Sequence, residues 1–327
     1  MNMPIFESLP KKRISRKSFM KLCGIGIGGI ALNSALLKFV FGQDDVSTGR
    51  VVKKIRALHD LVVAKGDDPY TMTVKAVDAL GGMGKFVKAR STVLIKPNIG
   101  WDRSPEQAAN TNPQVVGALV DMCFKAGAKR VNIFDNTCND PKRCYENSGI
   151  EKIAKEKGAN IYSPDNWNVV KAKFDYQSPM EGWPIYRDAL ECDTFINVPV
   201  LKHHSLAGLT ISMKNLMGIC SGNRGLLHFD LGTKLAHLTD FINSDLTVID
   251  AYRVLKRNGP TGGNLEDVMD MKTLIAGTDP VLCDAYACVL MGKEPLSVTY
   301  IEQAVKNNLG KGTYSDIAKA DILTITV

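Results

Sequence analysis

Short apolar runs rich in β-branched residues alternate with amphipathic stretches along most of the chain, and this alternation restricts the fold more than any other feature. Residues 61–64, 92–95 and 194–201 have the composition of buried strands. A helical pattern begins at Pro113 and ends at Gly127. Strands that alternate with helices in this way predict an α/β fold, with a mostly parallel sheet and helices on both faces.

The domain organisation follows from length and from the absence of repeats in the sequence. The 327 residues suffice for one large domain. No internal repeat or low-complexity linker interrupts residues 44–327, so we interpret them as a single α/β domain. Residues 163–193 contain two tryptophans, several prolines and only weak periodicity. We interpret that segment as an irregular insertion.

The first 43 residues differ from the rest and are interpreted as an export signal or membrane anchor. They hold seven basic residues and one acidic residue, and six of the basic residues precede an uncharged stretch at 22–37. Residues 15–21 are similar to the twin-arginine export signal, with Lys17 where the second arginine is usual. We therefore expect export through twin-arginine-type machinery, to the periplasm or to an anchored position on the outer face of the membrane.

The net charge of +7 belongs almost entirely to this leader. Beyond residue 43 the chain has nearly equal numbers of basic and acidic residues. A nucleic-acid-binding domain needs a basic patch on its folded surface. No nucleic acid is therefore expected among the partners.

Polar side chains follow five of the predicted strands at the point where each strand ends. The carboxyl ends of parallel strands meet at one edge of a sheet, where loops from several strands converge on ligands. We therefore expect one shared ligand site at that edge. Its predicted members are Lys96 and Asn98, Asp135 and Asn136, Lys202 with His203 and His204, Asp250, and Asp279.

The segment Lys202-His203-His204 is the most distinctive of these strand ends. Adjacent side chains of an extended segment point to opposite sides, so one of the two histidines is expected to face a ligand. Imidazole titrates near neutral pH, which makes that histidine a candidate general acid–base catalyst or metal ligand. The alternative is a surface histidine without a chemical role.

Lys214 lies in an otherwise apolar stretch, which predicts a negatively charged neighbour. Burying a lysine without a partner costs several kcal/mol or shifts its pKa. Asn215 is placed to position a substrate oxygen or to cap the local backbone. The Gly-rich run that follows, with Arg224 and His228, suits a phosphate or carboxylate; the alternative is a plain mobile loop.

Eight cysteines make a redox or metal site the main alternative. They form no CxxC pair and no ferredoxin-type run. Cys138 and Cys144 flank a Pro-containing loop and are candidates for a disulfide in an oxidising compartment. Candidate ligands of a metal or iron–sulfur centre are Cys138, Cys144, Cys220 and His228. Candidate ligands of a divalent cation are Asp135, Asp250, Asp279 and Asp284, with His203 or His204.

Five segments resemble, in kind and in order, the domain of unknown function 362 family. The resemblance covers roughly residues 58–312. It implies an α/β domain, often behind an export signal and sometimes fused to a ferredoxin-like iron–sulfur module, whose cysteine run this chain lacks. It supports the location of the site and leaves the reaction open. The segments are 96–98, 199–204, 212–218, 258–260 and 277–284.

The leading hypothesis is an exported enzyme, or enzyme-like protein, that binds a small anionic molecule at the carboxyl edge of the sheet. Lys202, Lys214 and Arg224 would hold the negative charge, and His203 or His204 would transfer a proton.

Asp250 and Asp279 would orient these groups or hold a cation. The alternatives are a redox protein with a metal or iron–sulfur centre and a non-catalytic solute-binding protein.

Overall fold

A computed structural model of the chain describes residues 45–52 and 55–327. Within it, Val46–Val327 form one compact unit. The strands are β1 (Val46–Ser47), β2 (Leu61–Lys65), β3 (Thr92–Pro97), β4 (Arg130–Ile133), β5 (Asn160–Ile161), β6 (Val169–Ala172), β7 (Pro184–Tyr186), β8 (Thr194–Val198), β9 (Val200–His204), β10 (Gly208–Thr210), β11 (Leu246–Leu255), β12 (Val268–Gly277) and β13 (Ile322–Thr326). The helices are α1 (Pro69–Ala79), α2 (Pro113–Lys125), α3 (Pro141–Asn147), α4 (Ile150–Glu156), α5 (Asp188–Glu191), α6 (Ser212–Asn215), α7 (Leu231–Ile242), α8 (Pro280–Leu290), α9 (Thr299–Lys306) and α10 (Tyr314–Lys319).

The central sheet has the strand order β13-β2-β12-β11-β8-β3-β4-β5. Neighbouring strands in this order run parallel, except that β12 is antiparallel to both β2 and β11. The predicted α/β class and the mostly parallel sheet are therefore confirmed. The antiparallel strand matters for the site, because its carboxyl end lies at the opposite edge from those of its parallel neighbours.

Both faces of the sheet are buried, as the sequence predicts. In β2, Leu61 and Val63 belong to one cluster of buried apolar residues, and Val62 and Ala64 belong to another. Alternate residues of a strand point to opposite faces, so the two clusters lie on the two sides of the sheet. Residues of α7, α8 and α9 complete the first cluster, and residues of α1, α2 and α4 complete the second.

The run 194–201, predicted as one strand, is two strands separated at Pro199. Proline has no backbone N–H to donate, so it interrupts a strand. Beyond Pro199, β9 pairs with β11 at Val200 and forms an antiparallel hairpin with β10. Lys202 and the two histidines therefore lie within this hairpin, and the expectation that they follow the end of a strand is wrong.

Residues 163–193 have more regular structure than their weak periodicity indicates. They contain β6, β7 and α5, and a three-stranded sheet joins β1, β6 and β7. Ile185 of β7 forms a bridge with Cys220. This contact places the small sheet beside the chain that follows α6. Strands of three or four residues are too short to produce a readable alternation in the sequence.

The leader expected in residues 1–43 lies outside the described residues. Export, anchoring and the twin-arginine-like motif at 15–21 therefore stay predictions. Among the helices that the structure describes, none combines the length and the apolar character needed to cross a membrane.

Candidate functional site

A cavity of about 890 Å³ opens at the carboxyl ends of β3 and β4, beside the β9–β10 hairpin. Its position follows from the parallel strands, whose carboxyl ends share one edge and whose loops converge there. The cavity wall includes ten of the thirteen predicted site residues. They are Lys96, Asn98, Asp135, Asn136, Lys202, His204, Lys214, Asn215, Arg224 and His228.

Lys96 and Asp135 form a buried ion pair in the cavity wall. The Lys96 Nζ lies 2.9 Å from Asp135 Oδ1 and donates to Asn215 Oδ1 and the Pro97 carbonyl, each at 2.9 Å. The second oxygen of Asp135 accepts the Ile99 N–H at 2.6 Å. Burial lowers the pKa of Lys96, and the Asp135 carboxylate opposes that shift. The charge of Lys96 is therefore balanced within the protein.

Gly218 leaves the space that this ion pair occupies. A Cβ atom at this position would lie 1.7 Å from Asp135 Oδ1 and 2.6 Å from Lys96 Nζ. The Gly218 carbonyl also accepts the Asn136 N–H at 3.0 Å. A side chain at residue 218 is therefore incompatible with the buried pair.

Lys214 is 8 % exposed and has little to bond to. Its Nζ donates to Met217 Sδ at 3.4 Å, and no described carboxylate forms an ion pair with it. Burial lowers the pKa of Lys214 to about 8, and the charges of Arg224 and Lys96 act in the same direction. The predicted negative partner of Lys214 is thus not supplied by the described residues.

Asp284 fixes the short helix α6, which includes Lys214. Its Oδ1 accepts from the backbone N–H and the hydroxyl of Ser212, at 2.8 and 2.5 Å, and its Oδ2 accepts from the Met213 N–H at 3.0 Å. Burial raises the pKa of Asp284 to about 7. The carboxylate serves the first N–H groups of α6, and it does not line the cavity.

Arg224 joins two walls of the cavity. Its guanidinium donates to the carbonyls of Asn136 and Thr137, each at 2.6 Å. Those carbonyls follow β4, whereas Arg224 lies in the loop after α6. Two neutral acceptors leave the positive charge of Arg224 uncompensated, and Arg224 also lines the cavity.

His204 and His228 stack at the cavity wall, with ring centroids 5.9 Å apart. The His204 Nδ1 accepts the N–H groups of Leu206 and Ala207, at 3.1 and 3.2 Å, so the neutral ring keeps its proton on Nε2. Burial lowers the pKa of His204 to about 3, with Lys214 contributing. At neutral pH His204 is therefore a hydrogen-bond donor through Nε2.

His228 has its donor and acceptor nitrogens exchanged relative to His204. Its Nδ1 lies 3.3 Å from the Gly225 carbonyl, and a carbonyl can only accept, so the neutral ring has its free lone pair on Nε2. Burial lowers the pKa of His228, and Lys214 adds to the shift. Of the two stacked histidines, His228 is the one that can accept a proton.

Two predicted residues lie behind the cavity wall. His203 points away from the cavity, and its Nδ1 accepts the Gly259 N–H at 3.2 Å. Asp250 is buried in β11, where its two oxygens accept the N–H groups of Asn112 and Tyr252, at 2.7 and 3.0 Å. Burial raises the pKa of Asp250 to about 6. Both residues hydrogen-bond to neighbouring backbone N–H groups and do not line the cavity.

The placement of Asp279 at the ligand edge is wrong. Asp279 follows β12, and because β12 is antiparallel its carboxyl end lies at the other edge of the sheet. There the carboxylate accepts the N–H groups of Val281 and Leu282, at 2.9 and 3.1 Å, and caps α8. Asp279 is an N-cap residue.

The described residues do not gather the ligands of a metal centre. No group of three or more histidine, cysteine, aspartate or glutamate side chains in residues 45–52 and 55–327 is arranged to hold a metal ion. Cys138 lies in the cavity wall as a free thiol, and Cys144 and Cys220 are free and buried. The proposed set of Cys138, Cys144, Cys220 and His228 does not form a ligand group, and the Cys138–Cys144 disulfide is absent.

Several residues at the cavity were not predicted from the sequence. Asn166 comes from the segment 163–193, and Trp101 follows β3. The Ala109 carbonyl accepts a hydrogen bond from Lys202 Nζ at 2.5 Å. A backbone carbonyl has no sequence signature, and Asn166 lies in a segment without periodicity, so neither could be found without the structure.

Comparisons with known proteins identify relatives of the chain. The family described as "Domain of unknown function (DUF362)" matches residues 93–289. A thylakoid-associated protein of Synechocystis is 25% identical over 239 residues, which are 68% of this chain and 70% of that protein.

Two solved structures are also similar. The lactate racemase apoprotein from Thermoanaerobacterium thermosaccharolyticum is 12% identical, with a TM-score of 0.46 over 73% of this chain. A protein from Thermotoga maritima is 12% identical, with a TM-score of 0.44 over 70% of this chain. The chain spans 58% and 60% of the lengths of these two proteins.

The family match includes the strand ends that build the cavity. It begins in β3, just before Lys96, and it ends in α8, after Asp284. It covers more than half of the chain, and it confirms the resemblance read from the sequence. The chain belongs to the DUF362 family.

Proposed function

We propose that this protein is an enzyme, or an enzyme-like protein, that binds a small anionic molecule in the cavity at the carboxyl edge of its sheet. The supporting observation is an excess of positive charge. Lys202, Lys214 and Arg224 line the cavity. Among the described residues of the wall, the one carboxylate is Asp135, which is already paired with Lys96.

Burial makes this excess of charge significant. A buried ammonium without a counter-ion is costly, whereas an anion that enters the cavity would offset the lost hydration of several groups at once. Charge-assisted hydrogen bonds in a site that excludes water are also stronger than those at a surface. The arrangement therefore favours an anionic ligand over a neutral one.

The hydrogen-bonding groups suggest roles for individual residues. Lys214 and Arg224 would bind the negative charge. The Nε2–H of His204 would donate to a ligand oxygen, and the Nε2 of His228 would accept a proton from the ligand. This division uses one histidine as donor and the other as base.

Replacing Lys214 with methionine tests the anion site, with sulfate as the probe. Loss of a hydrogen bond to a charged group costs about 1.5–3 kcal/mol, so sulfate affinity is expected to fall by about tenfold or more. Without sulfate, the variant is expected to be at least as stable as the wild type, because an unpaired buried charge is removed. Calorimetric titration and thermal unfolding at constant ionic strength measure the two effects.

The matched control is Lys152→Met, which removes an exposed lysine of α4 away from the cavity. Its sulfate affinity should equal that of the wild type. Equal sulfate affinity for the wild type and Lys214→Met would contradict the proposed site.

Sulfate affinity is also expected to depend on pH between 6 and 9. Burial lowers the pKa of Lys202 to about 7 and that of Lys214 to about 8. Both amines lose their charge as pH rises through these values, while sulfate stays doubly charged, so affinity should fall. Binding through surface lysines would persist to about pH 10, their ordinary pKa. A flat profile from pH 6 to 9 would argue against the two buried lysines.

A further inference from the structure

Lys202 is the most buried of the cations that face the cavity without a carboxylate partner. It is 1 % exposed. Its Nζ donates to the Ala109 carbonyl at 2.5 Å and to Asn98 Oδ1 at 3.4 Å. In residues 45–52 and 55–327 no carboxylate forms an ion pair with it. The acceptors around Lys202 are therefore two neutral oxygens.

Two acceptors satisfy a neutral amine better than an ammonium ion. A neutral amine has two N–H groups and one lone pair, whereas an ammonium ion has three N–H groups. With Ala109 and Asn98 as acceptors, both hydrogens of the amine are paired and the lone pair is left over. An ammonium ion has a third N–H, for which the described residues supply no acceptor.

The orientation of Asn98 is fixed by a chain of hydrogen bonds that starts at Lys96. Lys96 donates to Asn215 Oδ1, so that atom is an oxygen. The Asn98 amide nitrogen donates to the same oxygen at 3.3 Å. The Asn98 oxygen therefore faces Lys202. Through this chain, the charged Lys96 selects an acceptor for the amine of Lys202.

The electrostatic environment of Lys202 also favours the neutral amine. Burial, together with the neighbouring charges of Lys214 and Lys96, lowers the pKa of Lys202 to about 7, although Cys138 and Asp135 oppose the shift. A desolvated lysine next to another cation is a common way to obtain a nucleophilic amine at neutral pH. Lys214 is the less buried of the two lysines and is one of the neighbouring cations that act on Lys202.

We propose that Lys202 is a nucleophile that forms an imine with the carbonyl carbon of a small oxo acid. This inference rests on the proposed anion site, because Lys214 and Arg224 would bind the carboxylate of that acid. The amine nitrogen forms a bond to the carbonyl carbon, and the carbon–oxygen bond then breaks. The oxygen leaves as water with the two hydrogens of the amine. The step needs neither an oxidant nor a reductant.

Trapping with borohydride tests the proposal, with pyruvate as the probe. Wild-type protein is incubated with pyruvate at pH 7, reduced with sodium borohydride, and analysed by intact mass and peptide mapping. One reduced adduct per chain is expected, on Lys202. Its formation should be about a hundredfold or more faster than on exposed lysines, because an amine with a pKa near 10.4 is almost fully charged at pH 7.

Two variants and a competitor complete the design. Lys202→Arg has a guanidinium group, which cannot form an imine, so its adduct should be absent. Lys152→Met should be labelled like the wild type. Sulfate should slow labelling of Lys202, since it would occupy the carboxylate position. Peptide mapping of the wild type assigns the adduct even where Lys202→Arg does not fold.

The outcomes separate this inference from the proposed function. Adducts on exposed lysines alone, or an unmodified Lys202 in a protein that still binds sulfate through Lys214, would overturn the imine and leave the anion site intact. An adduct on Lys202 in a protein that does not respond to sulfate would support the nucleophile and contradict the anion site.

Discussion

Replacing Gly218 with alanine is expected to lower the free energy of unfolding by about 3–5 kcal/mol and to weaken sulfate binding. The new Cβ would lie 1.7 Å from Asp135 Oδ1, so the carboxylate must move away from Lys96. Breaking a buried ion pair leaves an uncompensated charge, which costs about this much. Displacement of Asp135 and Lys96 also changes the wall that positions Asn215 and Asn98.

Denaturant unfolding and calorimetric sulfate titration measure the effect of Gly218→Ala. The matched control is Gly84→Ala, because a Cβ at residue 84 meets nothing within 4 Å. The control is expected to change stability by less than about 0.5 kcal/mol. Similar stabilities for the two variants would mean that the buried pair adapts to the extra carbon, and would refute the steric argument.

Replacing Asp284 with alanine is expected to cost about 2–5 kcal/mol of folding stability and to abolish the sulfate response. The change leaves two buried backbone N–H groups, those of Ser212 and Met213, without their acceptor. Each such group costs about 1–3 kcal/mol. Because these N–H groups begin the helix that includes Lys214, the side chain of Lys214 also loses its fixed position.

The pH dependence of this effect has a definite sign. Burial raises the pKa of Asp284 to about 7, above the ordinary value of an unfolded aspartate. A raised carboxyl pKa contributes stability that is full below the unfolded pKa and is lost as pH rises through the folded pKa. The difference between wild type and Asp284→Ala should therefore be larger at pH 5 than at pH 8.

Unfolding curves at the two pH values measure this difference. The control is Asp270→Ala, which removes an exposed carboxylate of β12. It should change stability by less than about 0.5 kcal/mol at both pH values. A difference for Asp284→Ala that grows with pH would show that the carboxylate is stabilised, not destabilised, by its surroundings.

Much of the fold is predictable from local patterns. The runs at 61–64 and 92–95 are short and rich in β-branched residues, and both are strands in the structure. The helix that begins at Pro113 is also found. By contrast, α7 was not predicted from the sequence. Lys234 and His237 interrupt its apolar pattern, although both are buried. Tertiary packing around polar side chains is not visible as periodicity.

Part of the site could likewise be predicted from local patterns, and part of it could not. Lys96 and Asp135 follow parallel strands, and they meet as predicted from that topology. Asp279 follows a strand of similar apolar composition, yet it lies at the other edge of the sheet because β12 is antiparallel. The direction of a strand is set by its pairing partners, which are distant in sequence. No local pattern distinguishes the two cases.

The amino-acid sequence alone determined the α/β class, the family and most of the residues of one charged cavity, because these depend on local composition and on the parallel-sheet rule. The tertiary structure decided which charges are balanced. Pairing of Asp135 with Lys96, and of Asp284 with the start of α6, leaves Lys202, Lys214 and Arg224 without carboxylate partners among the described residues. Hydrogen bonds and burial depend on distances between remote segments, and these distances exist only in the folded chain.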